Sequence, residues 1–323
     1  TLRQGLRLPL LAAPMFLASG KESVVAACRS GIIGCYPALN QRSTEGLDQW
    51  LYDVEAAIAE GPVPGVDAVG PLSINLVVHK SNARLRADLD VIVKHRVPVV
   101  ITSLGAIPDV IQAIQSYGGI VFHDVISVRH AEKALAGGVD GIIAVCSGAG
   151  GHGGTINPFP FVQELKALTD KPIILAGAIS NGRQVAAAVV AGADLVSMGT
   201  RFLAVSESPV GQGYKDMVVS SKAADIVYTP RLSGIHANFL KPSIEKAGVD
   251  LAQLAAPENI QFGGENRTDV RAETGAAKVY VDIWSAGQGV GAISSIPNIA
   301  ELVGTMRADF HLALEQASAR YRV

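Results

Sequence analysis

The sequence predicts an α/β fold, a closed (β/α)8 or TIM barrel with a small, mostly helical insertion after the eighth strand. Short apolar runs alternate with helical patterns about every 25 residues, and eight such repeats follow one another. No G-x-G-x-x-G turn follows the first apolar run. Open doubly wound sheets usually have fewer strands and carry that turn, so the pattern favours the closed barrel.

The apolar runs predict eight buried strands, because strands buried on both faces are nearly continuous in Val, Ile and Leu. In chain order they cover residues 8–15, 31–37, 71–77, 97–104, 119–125, 141–147, 172–178 and 195–200. Helical periodicity separates most of them. The clearest helices are expected at residues 21–30, 83–95, 108–117, 128–136, 158–168 and 182–191.

The regular alternation ends after the eighth strand. Residues 208–282 are richer in polar and turn-forming residues and contain two amphipathic patterns, at 213–223 and 241–254. These patterns predict helices. We therefore expect residues 208–282 to form a small lid or substrate domain over the barrel mouth.

The end of the chain returns to the barrel. Residues 283–291 are apolar and rich in glycine, and residues 299–318 predict a long closing helix. The expected barrel domain therefore consists of residues 1–207 together with residues 283–323.

Composition excludes several classes of function. The 323 residues are 49% hydrophobic and 17% charged, with 34 glycines and a net charge of −2, so no basic surface for nucleic acid or anionic membrane is expected. No apolar run reaches the ~20 residues of a membrane span. The three cysteines and seven histidines lack metal-ligand spacing, so we expect no metal site and a reduced, cytoplasmic protein.

A glycine-rich loop around His152 is the strongest candidate for chemistry. The loop follows the sixth predicted strand and precedes the helix expected from residue 158, and five glycines surround the imidazole. Ligands bind at the carboxyl ends of barrel strands, and glycines allow a ligand to approach closely. Histidine exchanges protons near neutral pH, so His152 is a candidate acid or base. The alternative is a structural role in the loop or at the next helix.

Two later loops predict a phosphate site. Residues 176–182 and 197–200 end the seventh and eighth strands, where barrels commonly bind phosphate through backbone N–H groups. The alternative is that their glycines only permit tight turns. Arg201 follows the second loop and is expected to pair with a carboxylate.

Several side chains at strand ends are also expected to face a ligand. Asn75 ends the third strand, and a buried amide needs a hydrogen-bond partner on a ligand or a neighbouring strand. His123 and Asp124 end the fifth strand, where Asp124 either orients His123 or makes a structural salt link. Met15 and Phe16 at the first strand suit a flat conjugated ring, although core packing is the commoner role.

Seven segments carry a resemblance to a known family: residues 13–15, 74–76, 148–153, 176–179, 192–194, 198–202 and 284–291. With them the chain resembles the nitronate monooxygenases, formerly called 2-nitropropane dioxygenases, over nearly its whole length. The glycine–histidine loop followed by Met198-Gly-Thr-Arg-Phe is specific for the superfamily but not for one activity. Related flavoproteins reduce quinones or the enoyl group of fatty-acid intermediates.

The resemblance implies a barrel that holds non-covalent FMN, with His152 beside the flavin as the catalytic residue. Amides around four residues of the late loops would hold the phosphate, and the other contacts would follow the ring and the ribityl chain. The implied cofactor contacts are Ala13, Met15, Asn75, Asp124, Gly151, Gly177, Ala178, Gly199, Thr200, Ser285, Gly287 and Gln288. FMN lacks the adenosine half that G-x-G-x-x-G recognises, in agreement with the absence of that motif.

The chain departs from its relatives at two positions. Ala178 replaces a second glycine that many relatives carry, which narrows the allowed backbone angles in the phosphate turn. Asp124 stands near the place where several reductases of this kind have a lysine. A carboxylate stabilises neither anionic reduced flavin nor a cofactor phosphate, so Asp124 weakens the reductase interpretation.

Three functions follow from these residues. The leading one is FMN-dependent oxidation of alkyl nitronates by dioxygen to a carbonyl compound and nitrite. The alternatives are an FMN-dependent NAD(P)H:quinone or enoyl reductase, and a non-redox barrel protein. Candidates in the insertion for contact with an anionic substrate are Tyr228, His236, Asn238 and Lys241. We expect a homodimer as the assembly.

Overall fold

A closed barrel of eight parallel strands forms the body of the molecule, as predicted. The computed structural model describes residues 5–254, 269–272 and 275–321. The barrel closes because the first strand pairs with both the second and the last. Its strands are β1 (Leu10–Ala12), β2 (Ile33–Pro37), β3 (Leu72–Val77), β4 (Val99–Ser103), β5 (Ile120–Val125), β6 (Gly141–Val145), β8 (Ile173–Ala176) and β9 (Leu195–Met198), while β7 (Gly151–His152) lies outside the barrel.

Helices surround the barrel, and a long helix ends the described part of the chain. They are α1 (Lys21–Arg29), α2 (Thr44–Ala59), α3 (Leu85–Lys94), α4 (Pro108–Gln115), α5 (Val128–Ala136), α6 (Pro158–Leu168), α7 (Gly182–Val190), α8 (Thr200–Leu203), α9 (Gln212–Ser220), α10 (Lys241–Lys246) and α11 (Ile299–Tyr321). Side-chain caps begin several of these helices: Ser43, Ser127 and Asn181 each accept a hydrogen bond from a backbone N–H in the first turn. None of the helices in the described part of the chain has the length and hydropathy that a membrane span requires.

Alternating side chains fill the barrel in layers. The inward-facing apolar side chains pack into one cluster, which consists of Leu11, Ile33, Cys35, Val99, Ile101, Phe122, Ile143, Ile174 and Leu195. Strand side chains alternate with a period of two, so the next inward positions form the layer at the carboxyl ends. That layer consists of Ala13, Pro37, Asn75, Ser103, Asp124, Val145, Ala176 and Ser197, all of which border a cavity. The barrel thus presents a mostly small or apolar floor, with polar groups on the three neighbouring strands β3, β4 and β5 and one further hydroxyl, that of Ser197, on β9.

The insertion is mixed rather than mostly helical, which corrects the prediction. Besides α9 and α10, its described residues form four strands, namely β10 (Ile226–Thr229), β11 (Ala237–Leu240), β12 (Asp269–Ala272) and β13 (Gly275–Lys278). The helix expected at 241–254 ends at Lys246, because Gly248 adopts a left-handed φ of 67° and a separate 3₁₀ turn follows. Residues 255–268 and 273–274 of the expected lid lie outside the described residues.

The insertion is joined to the barrel loops by β-pairing. β10, β11 and β7 form a three-stranded antiparallel sheet in which Ala237 lies opposite His152. The insertion therefore contributes directly to the position of the glycine–histidine loop.

Candidate active site

A cavity of about 1310 Å³ opens at the carboxyl ends of the barrel strands, beneath the insertion. The structure brings together at this cavity fifteen of the residues expected from the sequence: Ala13, Met15, Phe16, Asn75, His123, Asp124, Gly151, His152, Gly177, Ala178, Gly199, Thr200, Tyr228, His236 and Ser285. Gly287, Gln288, Asn238 and Lys241 are not among the described residues that line it. The cavity exceeds the usual range of roughly 300–1,000 Å³ for ligand pockets, so it has room for a cofactor and a substrate together.

His152 lies on the wall of this cavity, held by the backbone pairing of β7 with β11. Its ring faces the open cavity, yet desolvation by the surrounding protein lowers the pKa of His152 to about 4. The imidazole is therefore neutral at physiological pH and can accept a proton. Its Nε2 lies 3.3 Å from the hydroxyl of Tyr280.

Tyr280 is a site residue that the sequence interpretation missed. The φ of Tyr280 is 68°, in the left-handed region, where a bulky residue is strained. Strained residues of this kind cluster at functional sites. The ring packs between Phe16 and Phe239, with centroid distances of 6.1 and 5.9 Å. Burial raises the pKa of the Tyr280 phenol, so the hydroxyl keeps its proton. Neither glycine nor asparagine marks this turn, and no local pattern indicates it.

A second polar feature crosses three barrel strands. Asn75 Nδ2 donates to Ser103 Oγ at 2.7 Å and to the Ile101 carbonyl at 3.2 Å. Ser103 Oγ in turn donates to Asp124 Oδ2 at 2.6 Å. We call Asn75, Ser103 and Asp124 the polar arc. Ser103 was not predicted, since only the register of β4 between β3 and β5 brings it between the other two.

The carboxyl of Asp124 lies in an unusual electrostatic environment. Burial raises the pKa of its carboxyl to about 6, and the bond from Ser103 opposes the rise. His123 does not pair with it, because His123 Nδ1 bonds to Thr102 Oγ1 at 2.7 Å. Burial also lowers the pKa of His123 to about 4. Neither the expected orienting role for Asp124 nor a salt link of Asp124 is found among the described residues.

The loops after β8 and β9 meet at one end of the cavity. Gly177 and Ala178 both have positive φ values, 126° and 56°. Beyond them the side-chain hydroxyl of Ser180 borders the cavity, is buried and has no hydrogen-bond partner in the part of the chain that the structure describes. A Cβ on Gly289 would lie 2.3 Å from that hydroxyl, so glycine is what leaves room there. An unpaired buried donor beside two glycine-rich turns can hold an anionic group such as phosphate. Ser180 lies within the predicted phosphate loop, residues 176–182, but was not singled out.

The turn at 285–289 braces the glycine–histidine loop. The Gly287 N–H donates to Thr200 Oγ1 at 2.9 Å, and the Gln288 N–H donates to the Gly148 carbonyl at 2.9 Å. These two backbone donors are therefore already bonded. Gly287 and Gln288 therefore hold the walls of the cavity in place, and their expected contact with a cofactor stays a prediction.

The chain belongs to a family whose model, described as nitronate monooxygenase, matches residues 71–309. It is a nitronate monooxygenase family member. The family is one of oxidoreductases, the class of enzyme that the sequence predicted. The matched region includes the polar arc, His152 and both late loops, whereas Ala13 and Met15 precede it.

Curated relatives include the nitronate monooxygenase of Paraburkholderia phytofirmans, 29% identical over 64% of this chain and 59% of that protein. Another is the (3aS,4S,5R,7aS)-5-hydroxy-7a-methyl-1-oxo-octahydro-1H-indene-4-carboxyl-CoA dehydrogenase of Mycobacterium tuberculosis, 29% identical over 74% of this chain and 65% of that protein. The aligned part of the chain thus spans less than two thirds of the length of either relative.

Solved structures share the fold over the whole chain. Nitroalkane oxidase from Streptomyces ansochromogenes has a TM-score of 0.79 at 22% identity and covers 98% of this chain and 99% of its own. FabK from Thermotoga maritima has a TM-score of 0.77 at 23% identity and covers 98% and 96%. Both likenesses support the barrel assignment.

Two basic side chains, those of Lys241 and Arg201, make contacts other than the ones expected from the sequence. Lys241 begins α10 on the surface and lies 3.6 Å from Glu245, so it does not reach the cavity. Arg201 is buried and donates to the carbonyls of Ala204 and Ser295 at 2.6 and 2.8 Å rather than to a carboxylate. Both residues follow helix geometry, which turns Lys241 outward and Arg201 into the protein.

The insertion residues divide into two groups. Tyr228 and His236 border the cavity with ring centroids 5.2 Å apart, and the Tyr228 hydroxyl donates to the Gly153 carbonyl at 2.9 Å. Asn238 donates to the Ala149 carbonyl at 2.7 Å. Tyr228 and Asn238 therefore hold the glycine–histidine loop in place, whereas His236 makes no hydrogen bond to that loop among the described residues.

Replacing Ala178 with glycine is expected to stabilise the protein. An L-residue in the left-handed region costs about 1–2 kcal/mol, and part of the gain is offset by the greater freedom of glycine in the unfolded chain. The net increase in the free energy of unfolding should be about 0.5–1 kcal/mol, measured by urea denaturation. Ala204→Gly, at a position with a negative φ, serves as control and should not stabilise. Equal gains in both variants would contradict the strain at Ala178.

Proposed function

We propose that the chain is an FMN-dependent oxidase of nitronates and nitroalkanes that uses dioxygen and releases a carbonyl compound and nitrite. The observation that carries this proposal is a neutral, cavity-facing His152 in the same cavity as an anion-holding end with an unpaired Ser180 hydroxyl. Family membership supports the reaction class.

The residues present fit FMN. The phosphate would lie against the loops of Gly177, Ala178, Gly199 and Thr200, with the Ser180 hydroxyl as an added donor. No carboxylate is among the described lining residues of these two loops. The ring would lie toward Met15 and the polar arc, over the small and apolar floor of the barrel. When bound, FMN would accept two electrons from the substrate and pass them to dioxygen.

His152 would act on the proton of the substrate. With a pKa of about 4, His152 is unprotonated at neutral pH and can take the α-proton of a neutral nitroalkane at a ring nitrogen. The contact between Nε2 and the Tyr280 hydroxyl is long at 3.3 Å, so a substrate can displace it. Once Nε2 carries that proton, the Tyr280 hydroxyl oxygen would accept a hydrogen bond from it and hold the ring in one orientation.

A second function is favoured by the size of the cavity. A volume of about 1310 Å³ leaves space beyond FMN and a small nitroalkane. The relative from Mycobacterium tuberculosis is named a dehydrogenase of a carboxyl-CoA thioester. The alternative is therefore an FMN enzyme that transfers hydride between NAD(P)H and an enoyl, quinone or acyl-CoA substrate.

Anaerobic absorbance of the bound flavin separates the two functions. Purified protein is mixed with a small alkyl nitronate, with the matching nitroalkane, or with NADH in separate cuvettes. We expect bleaching by the nitro compounds and none by NADH. Bleaching by NADH alone would overturn the proposal and assign the chain to the reductases.

A further inference from the structure

A strip of apolar side chains borders the cavity between the loop after β4 and the helix α5. It consists of Leu104, Ala106, Ile126 and Ala134, all of which line the cavity. A Cβ on Gly137, directly after α5, would lie 3.2 Å from the Ala106 Cβ, so the loop after β4 lies along α5. We call these four lining residues the apolar strip.

The two large side chains of the apolar strip are open to solvent. Leu104 is 42% exposed and Ile126 is 41% exposed. Away from the cavity, in the part of the chain that the structure describes, the exposed large apolar side chains are scattered over the helices α2, α6, α7 and α11, which is ordinary for a protein surface. Exposed apolar side chains that gather at a cavity indicate instead a groove that binds a ligand.

Leu104 also has an unfavourable backbone conformation. Its φ is 64°, in the left-handed region, where the Cβ of a leucine is crowded and which asparagine or glycine occupies more easily. Strained residues cluster at functional sites, ligand sites among them. A leucine that is both strained and exposed contributes little to the fold, so its role lies with a ligand.

The apolar strip begins beside the proposed reaction site. Leu104 and Ile126 follow the ends of β4 and β5, just outside the polar arc toward which the flavin ring would lie. A Cβ on Gly154, in the glycine–histidine loop, would lie 3.1 Å from the Ile126 Cβ, so that loop packs against the strip. A substrate held between the ring and His152 can therefore reach the strip with the part that does not react.

Resting on the proposed function, we propose that the apolar strip binds a linear apolar chain of the substrate. The preferred substrates are then long-chain nitroalkanes and their nitronates rather than the smallest members of either class. The reacting carbon lies beside His152, and burial of the chain against Leu104 and Ile126 favours binding.

The test measures how the affinity for an unreactive chain depends on its length. Butanamide, hexanamide and octanamide are titrated calorimetrically into the flavin-loaded protein. These ligands are neutral, so His130 and Lys133, which line the same side of the cavity, add no ion pair. The dissociation constant should fall by about twofold to fourfold for each added methylene, the larger value being that of complete burial. A dissociation constant that stays the same along the series would overturn the proposal.

A polar substitution at Leu104 locates the chain. Leu104→Asn has a side chain of similar size that suits the left-handed backbone, so it should unfold at a urea concentration no lower than the wild type does. It should retain flavin and raise the dissociation constant of octanamide by about fivefold or more, with little change for butanamide. Leu312→Asn makes the same replacement at a leucine that is 47% exposed on α11, outside the cavity lining, and should bind octanamide as the wild type does. Wild-type affinity for octanamide in Leu104→Asn, or loss of flavin from that variant, would contradict the proposal.

Ile126→Thr gives an independent measurement on the other side of the strip. It keeps the branch at Cβ but replaces apolar surface by a hydroxyl, so octanamide should again bind more weakly while butanamide changes little. An unchanged preference for octanamide in this variant would remove Ile126 from the site and count against the strip.

These outcomes are separate from the flavin-bleaching test because the amides do not react. A protein that selects long amides but whose flavin is not reduced by nitro compounds retains the apolar strip and loses the proposed reaction. A protein that is reduced by nitroalkanes but binds all three amides equally retains the reaction and loses the strip.

Discussion

Replacement of His152 by asparagine is expected to slow substrate oxidation by about 10²-fold or more, the usual effect of removing a positioned acid–base group. The variant should fold and retain flavin, because residue 152 is held through the backbone pairing of β7 with β11 and its ring faces the cavity. The comparison is made by single-turnover reduction of the flavin by a neutral nitroalkane, with flavin content measured in the same samples.

Two further measurements sharpen this expectation. Tyr280→Phe removes the hydroxyl near Nε2 but keeps the base, so its loss of rate should be much smaller than that of His152→Asn. With the preformed nitronate as substrate, the difference between His152→Asn and the wild type should shrink, because no α-proton remains to be removed. Wild-type rates with the neutral nitroalkane in His152→Asn would remove His152 from catalysis.

Introducing a methyl group at Gly287 is expected to separate the two walls of the cavity. A Cβ there would lie 2.3 Å from the Gly148 carbonyl oxygen and 2.7 Å from the Gly150 nitrogen, both rigid backbone atoms. The φ of Gly287 is −98°, which alanine adopts freely, so the effect is purely steric. Gly287→Ala should lower the free energy of unfolding by about 1–3 kcal/mol and weaken flavin binding by tenfold or more.

The matched control lies four residues further along. A Cβ on Gly291 would meet its nearest neighbour, the Ala223 nitrogen, at 3.7 Å, an ordinary contact. Gly291→Ala should therefore keep wild-type stability and flavin affinity, measured by urea denaturation and by flavin fluorescence on release. Full flavin retention in Gly287→Ala would contradict the prediction that flavin binding depends on the close contact between the turn at 285–289 and the glycine–histidine loop.

The barrel was predictable because its signals are local. Each strand appears as a short apolar run, and the predicted ranges enclose all eight observed strands, from Leu10–Ala12 to Leu195–Met198. The 16-residue helix α2 was not among the predicted helices, although Ser43 caps it. The insertion was harder, since β10 and β11 are four residues each and are stabilised by pairing with each other and with β7. Strands this short leave little hydrophobic periodicity to detect in the sequence.

The site was predicted unevenly for the same reason. His152 and the residues of the late loops follow strands directly, so their position at the cavity follows from chain order. Lys241 and Arg201 were misjudged, because their direction depends on the helix that each occupies. Ser103, Ser180 and Tyr280 were overlooked, since serine and tyrosine carry no distinctive spacing at these positions.

By itself, the sequence determined the closed barrel, its glycine-rich ligand loops and the place of one imidazole among them, because each is encoded within a few consecutive residues. Only the tertiary structure decided the chemistry of the cavity. Strand register brought Asn75, Ser103 and Asp124 into one hydrogen-bonded arc, and the docked insertion placed Tyr280 against His152. Desolvation, which moves the pKa values of His152 and Asp124 in opposite directions, arises from surrounding residues far apart in the chain.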